Sequence, residues 1–318
     1  MSTLKVNKIR DNSGSTDAIV FDPSGGAVLA GVTTVSAVKV GSGVTISSDG
    51  DVFTTGITTS SSVIVGGGVT ISESGIEASG IGITCANING TQIGGRRNLI
   101  INGAMNVAQR GISTTSTSAF GSVDRVALIH SGTDENPTQS QADVASGTTP
   151  YTLGFRKSFK ITNGNQTSGA GTGDYISIRY RVEAQDVAQS GWNYTSTSSF
   201  ITLSFWVKSS VAQNFYGRLL SQDASNYTYA FETGALTADT WTKVIKTLPG
   251  NSNLVFNTDD GTGLQLTLTP YWGTNYTDNG VSLNTWAAYN GNARVPDMTT
   301  TWFTTNDATF ETTGWQLE

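Results

Sequence analysis

Val40-Gly-Ser-Gly-Val-Thr-Ile-Ser47 returns 25 residues later as Val65-Gly-Gly-Gly-Val-Thr-Ile-Ser72. The approaches to the two copies also align, Val35–Val40 with Ser60–Val65. A more divergent copy precedes them, where Gly26 leads to Gly31. Repeats of about 20–50 residues are typical of elongated arrays in which each unit contacts mainly its neighbours. Residues 27–95 are therefore interpreted as one repeat-built segment.

The repeats consist of short Val/Ile/Thr runs separated by Gly and Ser, a composition that favours strands and turns. Phe53 is the only aromatic residue in residues 27–95, and five residues there are charged. Such a strip buries too little apolar surface to fold alone. We therefore expect a β shaft of three intertwined chains, resembling a β-helix. The alternatives are a disordered Gly/Ser linker and a single-chain β-helix.

Composition divides the 318 residues into an aromatic-poor part and an aromatic-rich part. Charged residues make up 13%, about half the usual share. All seven Trp lie at or after Trp192. The sequence predicts an attachment segment over residues 1–26, the shaft over 27–95 and a globular head over 96–318.

Several classes of function are disfavoured. The net charge is −6 and no Lys/Arg cluster is larger than the pair Arg96-Arg97, which disfavours nucleic-acid binding. Cys85 is the single Cys, so no internal disulfide is expected. No signal peptide and no apolar run of membrane-spanning length is recognised. We expect synthesis in a cytoplasm, without membrane insertion.

The first 26 residues have the pattern of one β-hairpin, with a turn at Asp11–Gly14 and a second apolar run at Ala18–Phe21. A hairpin of this size does not fold alone, so it is expected to dock on another protein. The alternative is a frayed terminus. The candidate attachment residues are Leu4, Val6, Ile9 and Phe21.

The head has the pattern of an all-β domain. Its predicted strands alternate in polarity and are bounded by Gly, Asn, Asp or Ser: Arg156–Thr162, Tyr175–Val182, Ile201–Ser209, Phe215–Leu220, Tyr227–Glu232, Thr242–Thr247 and Leu264–Tyr271. About ten such strands favour a two-sheet sandwich or jelly roll. Alternation assigns the row Ile201, Leu203, Phe205 and Val207 to the core. A single helical turn is expected at Ala184–Gln189.

Asn98-Leu-Ile-Ile-Asn-Gly-Ala-Met-Asn-Val-Ala-Gln-Arg-Gly111 resembles the opening of a family of bacteriophage tail-fibre head domains. Further matching motifs follow in the same order: Val123–Val126, Gly154–Arg156, Arg181–Ala184, Ser204–Ser209, Thr240–Lys243 and Thr313–Glu318. Met1–Ile9 is similar to the start of tail-fibre-like proteins of marine phages. The resemblance covers residues 96–318 and implies a virion appendage with a jelly-roll tip similar to carbohydrate-binding modules.

Catalysis is not expected. His130 is the only His, which disfavours a His-based triad and a zinc site. Gly169–Gly173 precedes a strand rather than a helix, so it is interpreted as a turn, not a phosphate loop. Asp259–Gly263 is interpreted as a turn rather than a calcium loop. No metal or cofactor is expected.

Glycoside hydrolysis remains the enzymatic alternative, because it needs only two carboxylates about 5–9 Å apart. The sequence alone does not place any two of the candidate carboxylates across a cleft. These candidates are Asp174, Glu183, Asp186, Asp223, Glu232, Asp259, Asp260 and Asp278.

Saccharide binding has better support, because flat aromatic faces beside short hydrogen-bonding side chains suit sugars. In the head, several aromatic residues stand beside Asn and Thr in turn-rich sequence. The alternative interpretation is that these rings fill the core or a trimer interface. The candidate binding residues are Tyr227, Tyr229, Trp272, Tyr276, Trp286 and Tyr289.

Together these patterns predict a homotrimeric phage tail fibre located in the virion. Its N-terminus would bind tail or adaptor proteins, and its head would contact host-surface polysaccharide. Three heads on one shaft would strengthen a weak contact. The alternatives are an adaptor or capsid fibre without receptor contact and a polysaccharide-degrading tip.

Overall fold

A computed structural model of the chain describes residues 98–115, 120–224 and 226–318 and, before them, the backbone of short strands. These early strands are β1 (Lys8–Arg10), β2 (Asp17–Phe21), β3 (Ala27–Leu29), β4 (Val38–Val40), β5 (Val44–Ile46), β6 (Val52–Thr54), β7 (Val63–Val65), β8 (Val69–Ser72), β9 (Gly75–Ala78), β10 (Asn87–Ile88) and β11 (Thr91–Gln92). The chain divides into two compact units, Met1–Thr84 and Cys85–Glu318.

The sequence repeat is also a repeat of strand pairing. β4, β5 and β6 form a three-stranded antiparallel sheet, and β7, β8 and β9 form the same sheet one repeat later. Val40 pairs with Val44, and Val65 pairs with Val69. The two valines that flank each G-x-G of the V-G-x-G-V motif are thus antiparallel partners. β1, β2 and β3 form a further antiparallel sheet.

The second unit contains the longer strands. They are β12 (Ser113–Thr114), β13 (Val126–Ser131), β14 (Thr138–Asp143), β15 (Lys157–Thr162), β16 (Tyr175–Glu183), β17 (Phe200–Ser209), β18 (Asn214–Ser221), β19 (Tyr227–Ala235), β20 (Thr242–Pro249), β21 (Thr262–Trp272), β22 (Trp286–Ala288) and β23 (Thr309–Leu317). Three short helices accompany them: α1 (Thr149–Thr152), α2 (Ala184–Ala188) and α3 (Thr301–Thr304). None of the helices in the described residues is long and apolar enough to cross a membrane.

The longer strands form two six-stranded antiparallel sheets. Sheet I has the order β12-β14-β15-β23-β17-β20, and sheet II has the order β13-β16-β21-β18-β19-β22. The predicted all-β class and the two-sheet sandwich are confirmed. The seven predicted strands reappear with ends displaced by at most three residues, and α2 occupies the predicted helical turn.

The main core lies between the two sheets. In β17, Ile201, Leu203, Phe205 and Val207 are all buried there, as alternation predicts. Strands β16 and β21 contribute Ile176, Ile178, Leu266 and Leu268 from the other side, among others. Among the strands outside these seven are β14 and β23, where alternation gave no signal because polar residues occupy buried positions in both. Gln139 on β14 is fully buried, and its Oε1 accepts a hydrogen bond from the Gly121 N–H.

Candidate functional site

The outer face of sheet II, which points away from the main core, carries a row of residues brought together by strand register. Ala127 pairs with Arg179, Arg179 with Thr267, Thr267 with Arg218, and Arg218 with Ala230. Because cross-strand partners share a face and neighbouring strands lie about 4.8 Å apart, the Arg179 and Arg218 backbones are about 10 Å apart. Only Thr267 lies between them in this row.

Residues 273–298, here called the covering segment, include the edge strand β22, and the parts on either side of β22 pack over this outer face. Val295 of the segment forms a second apolar cluster with Ala230 and Trp272. The partly buried side chains packed against that cluster are Tyr175, Tyr216, Tyr276, Val281, Leu283 and Met298. The covering segment explains why polar residues on the outer face, such as Thr267 and Thr269, are almost fully buried.

Backbone contacts hold the covering segment in place. It is tied to sheet II by hydrogen bonds from the Asn284 N–H to the Ala230 carbonyl (2.8 Å) and from the Tyr289 N–H to the Asn226 carbonyl (2.9 Å). Within the segment, Thr277 forms a parallel bridge with Val295. The segment is therefore fixed to sheet II by backbone hydrogen bonds, and it contains β22, the edge strand of that sheet.

Arginine and aromatic side chains alternate where the covering segment meets the sheet. The Arg218 guanidinium carbon lies 4.9 Å from the Tyr289 ring centre and 5.2 Å from that of Trp272. The Arg294 guanidinium carbon lies 5.3 Å from the Trp272 ring and 4.5 Å from the Tyr276 ring. These distances are within the range of cation–π contacts. Tyr289, Arg218, Trp272, Arg294 and Tyr276 are called the arginine–aromatic ladder below.

The buried guanidinium of the ladder keeps hydrogen-bond donors unused. Arg218 is 3% exposed, and within the described residues its Nε and Nη1 have no hydrogen-bond partner. Neighbouring Arg179 is partly exposed, and its buried Nε also lacks a partner there. Stacking occupies the faces of a guanidinium, whereas its N–H groups point outward in the plane. The ladder thus presents donors without acceptors.

The electrostatic environment of the ladder is positive. Burial lowers the pKa of Arg218 to about 10, an effect partly offset by Tyr289 and reinforced by the like charges of Arg294 and Arg179. Burial also lowers the pKa of Arg179, with repulsion from Arg181 as the next cause. The arginines remain charged at neutral pH. They form a concentrated set of cations.

The six candidate binding residues fall into two groups. Trp272, Tyr276 and Tyr289 belong to the ladder. Tyr229 and Trp286 lie in the main core with ring centres 5.4 Å apart. Their polar atoms donate to the carbonyls of Thr247 (3.4 Å) and Pro249 (2.8 Å), so they link sheet II to sheet I.

Tyr227 is partly buried and packs against the main core. Because Tyr227, Tyr229 and Trp286 pack in or against the main core, we leave all three out of the candidate site.

The remaining sequence candidates lie elsewhere. Leu4 and Val6 fall outside the described residues, whereas Ile9 and Phe21 fall in β1 and β2, of which only the backbone is described. Among the candidate carboxylates, those of Asp174, Asp259 and Asp278 each accept a backbone N–H two or three residues away, as turn-forming residues do. In residues 98–115, 120–224 and 226–318, no three His, Cys, Asp or Glu side chains are grouped to hold a metal.

The sequence predictions did not include Arg179, Arg218 and Arg294. A signal for the first two was present: in Phe215–Leu219 and Ile176–Tyr180 the arginine alternates with core residues, which places it on the outer face. What alternation does not show is that the covering segment returns over that face. Arg294 reaches the ladder only through that return.

An open pocket at another edge of sheet II is also basic, but its charges are mixed. It is lined by Arg110, Phe120, Arg125, Arg181, Val182, Glu183, Asp260, Gly261 and Thr262. Within it, Arg125 Nη2 lies 3.5 Å from the Glu183 carboxylate. Because its own carboxylates, Glu183 and Asp260, offset part of its positive charge, this pocket is a weaker candidate than the ladder for binding an anion.

No protein-family model and no curated protein matches the chain. Among solved structures, the chain is similar to the enzymatically active domain of tailspike protein 4 of bacteriophage CBA120, with 10% identity, a TM-score of 0.37, and coverage of 70% of this chain and 21% of that one. It is also similar to the N-terminal cellulose-binding domain of Cellulomonas fimi β-1,4-glucanase C, with 12% identity, a TM-score of 0.31, and coverage of 67% and 97%.

A third similar structure is a putative sugar-binding protein from Bacteroides thetaiotaomicron, with 11% identity, a TM-score of 0.32, and coverage of 70% of this chain and 99% of that one. The solved structures similar to this chain thus include carbohydrate-binding domains and a phage tailspike domain. The chain spans about a fifth of the length of the tailspike chain.

Proposed function

We propose that this protein is a bacteriophage fibre whose β-sandwich binds a saccharide on the host surface. The observation that carries the proposal is the arginine–aromatic ladder, in which aromatic rings alternate with unused hydrogen-bond donors. Saccharides have apolar faces that pack on aromatic rings and hydroxyl groups that accept hydrogen bonds. Tyr276, Tyr289 and Arg294 are partly exposed and would make first contact.

The fibre part of the proposal is supported by the repeats and by the ordered motifs of residues 96–318. Residues 27–95 contain short strands with few charges, which three chains together could bury. Residues 1–26 would attach the fibre to a tail or adaptor protein in the virion. Three sandwiches on one fibre would raise the effective concentration of each site and strengthen a weak contact.

The proposal is tested with the purified full chain and polysaccharide extracted from the host surface. Tyr289→Ala removes a partly exposed ring of the ladder, and we expect the dissociation constant to rise about tenfold, equivalent to about 1.4 kcal/mol. The matched control is Phe200→Ala, which removes an aromatic ring that is 58% exposed on sheet I. Isothermal titration calorimetry measures both variants. Equal binding by both would contradict the site, and no binding by the wild type would favour an adaptor or capsid fibre.

Binding of this kind needs no catalytic step, and we propose that the protein acts without one. Incubation of the full chain with host polysaccharide should release no reducing ends above a heat-denatured control. A steady release would instead favour a polysaccharide-degrading tip.

A further inference from the structure

We propose that the ladder recognises an acidic saccharide, with a sugar carboxylate bound by Arg218 and Arg294. This inference rests on the proposed function and specifies its ligand class. Guanidinium groups are planar and present N–H groups in a fixed fork that matches the two oxygens of a carboxylate. A neutral sugar would leave their charge unbalanced.

The first argument is the state of Arg218. A buried charge is costly unless it is paired and hydrogen-bonded. The stacking rings of Trp272 and Tyr289 contact the guanidinium from about 5 Å, but they do not accept its in-plane N–H groups at Nε and Nη1. An oxyanion would supply both the missing acceptors and the missing charge.

The second argument is the charge of the groups around Arg218. After burial, Tyr289 has the largest effect on its pKa and raises it, in part through a hydrogen bond, whereas the like charges of Arg294 and Arg179 lower it. Elsewhere in the described residues, Arg125, Lys157 and Lys208 each have a carboxylate within 4 Å. The chain has 24 acidic residues against 18 basic ones, so carboxylates are plentiful and yet none is among the groups that shift the pKa of Arg218 or Arg179. A bound carboxylate would offset part of the charge of the three arginines.

The third argument concerns access. Arg294 and Tyr289 are partly exposed on the covering segment, whereas Arg218 lies beneath them on the sheet. A carboxylate would first meet Arg294, which is oriented by a hydrogen bond from its Nε to the Gly291 carbonyl (2.7 Å). Arg294 therefore lies at the exposed edge of the site, and Arg218 lies at its base.

The test uses the full chain and three preparations of host-surface polysaccharide: intact, with its carboxylates reduced to hydroxymethyl groups, and with its sulfate esters removed. We expect carboxylate reduction to weaken binding at least tenfold and desulfation to leave it unchanged. Unchanged binding after carboxylate reduction would overturn the inference while leaving saccharide binding intact. Loss of binding only after desulfation would overturn the carboxylate assignment. Absence of binding to the intact polymer would remove the proposed function itself, and this inference with it.

Arginine variants test which side chains bind the carboxylate. Arg218→Gln and Arg294→Gln should each weaken binding of the intact polymer at least tenfold and reduce its preference over the carboxylate-reduced form. Arg294→Gln also covers the case in which the buried Arg218 variant does not fold, because Arg294 is partly exposed. The control is Arg125→Gln, an arginine outside the ladder with its own carboxylate partner. If Arg294→Gln and Arg125→Gln bind the intact polymer equally well, the inference is wrong.

Discussion

Asn163 is a buried side chain that holds the end of α3 by hydrogen bonds. It is 2% exposed, and its Nδ2 donates to the carbonyls of Phe303 (2.6 Å) and Thr305 (3.2 Å) at the end of α3. Asn163→Ala leaves these carbonyls without that donor, and we expect a loss of about 2–3 kcal/mol in the free energy of unfolding. Asn163→Asp should cost more, because a carboxylate would face carbonyl oxygens.

Urea unfolding measures both Asn163 variants. The control is Asn306→Ala, an exposed residue whose Nδ2 donates a hydrogen bond to the carboxylate of its neighbour Asp307 (3.2 Å). That variant should remain within about 0.5 kcal/mol of the wild type. A loss below 0.5 kcal/mol for Asn163→Ala would contradict the role assigned to it.

His130 gives the sandwich a pH dependence. It is 9% exposed on β13, and burial lowers its pKa below the ordinary value of 6.5. The folded state therefore binds this proton more weakly than the unfolded state. Its contribution to stability is complete above about pH 6.5 and is lost as the pH falls through the lowered pKa, with a slope of at most about 1.4 kcal/mol per pH unit.

The measurement is the free energy of unfolding of the wild type and of His130→Gln between pH 8 and pH 5. Relative to the variant, the wild type should lose stability as the pH falls below 6.5, because other titrating groups are common to both proteins. Two parallel pH profiles would show that the pKa of His130 is not shifted by folding.

At the scale of elements, Gly273 begins the covering segment at a position with no room for a side chain. A Cβ on Gly273 would collide with the Thr172 carbonyl oxygen and lie 2.5 Å from that of Gly171. Because both neighbours are backbone, Gly273→Ala must shift the start of the segment, and we expect a cost of about 1–3 kcal/mol together with weaker saccharide binding. Gly173→Ala is the matched control, because its Cβ would meet only the Asn275 side-chain nitrogen at 3.6 Å. Similar stability of the two variants would show that the close approach is not required.

The strands of the sandwich could be predicted where one face is apolar, as in β17 and β16. Prediction failed where polar residues are buried or where the alternation is interrupted. β23 contains Gly314 with a φ of 65°, beside a register shift in its pairing with β17. A local pattern of alternation carries no information about such a bulge, because the partner strand is more than 100 residues away in sequence.

At the scale of the whole molecule, the sequence predicted three ladder residues, Trp272, Tyr276 and Tyr289, but not the arginines between them. The aromatic residues share one turn-rich stretch, whereas Arg218 lies on a strand about 50 residues earlier. The register of β18 against β21 and the return of the covering segment bring them together. Both are tertiary features, so residue type and spacing alone could identify candidate rings but not a complete site.

The oligomeric state is the remaining prediction for the whole molecule. If the repeats of three chains intertwine, light scattering of the full chain should give the mass of three 33.4-kDa chains, about 100 kDa. From the sequence alone, alternation predicts Val44 and Ile46 on one face of the strand and Thr45 on the other, and it predicts the same arrangement for Val69, Thr70 and Ile71. Ile46→Asp combined with Ile71→Asp should therefore dissociate the trimer, because six charges would be buried between chains. Thr45→Asp combined with Thr70→Asp adds the same charges to the opposite face and should leave the mass unchanged. A monomeric wild type, or equal masses for the two double variants, would rule out the intertwined shaft. The proposed strengthening of a weak saccharide contact by three heads would then lose its basis.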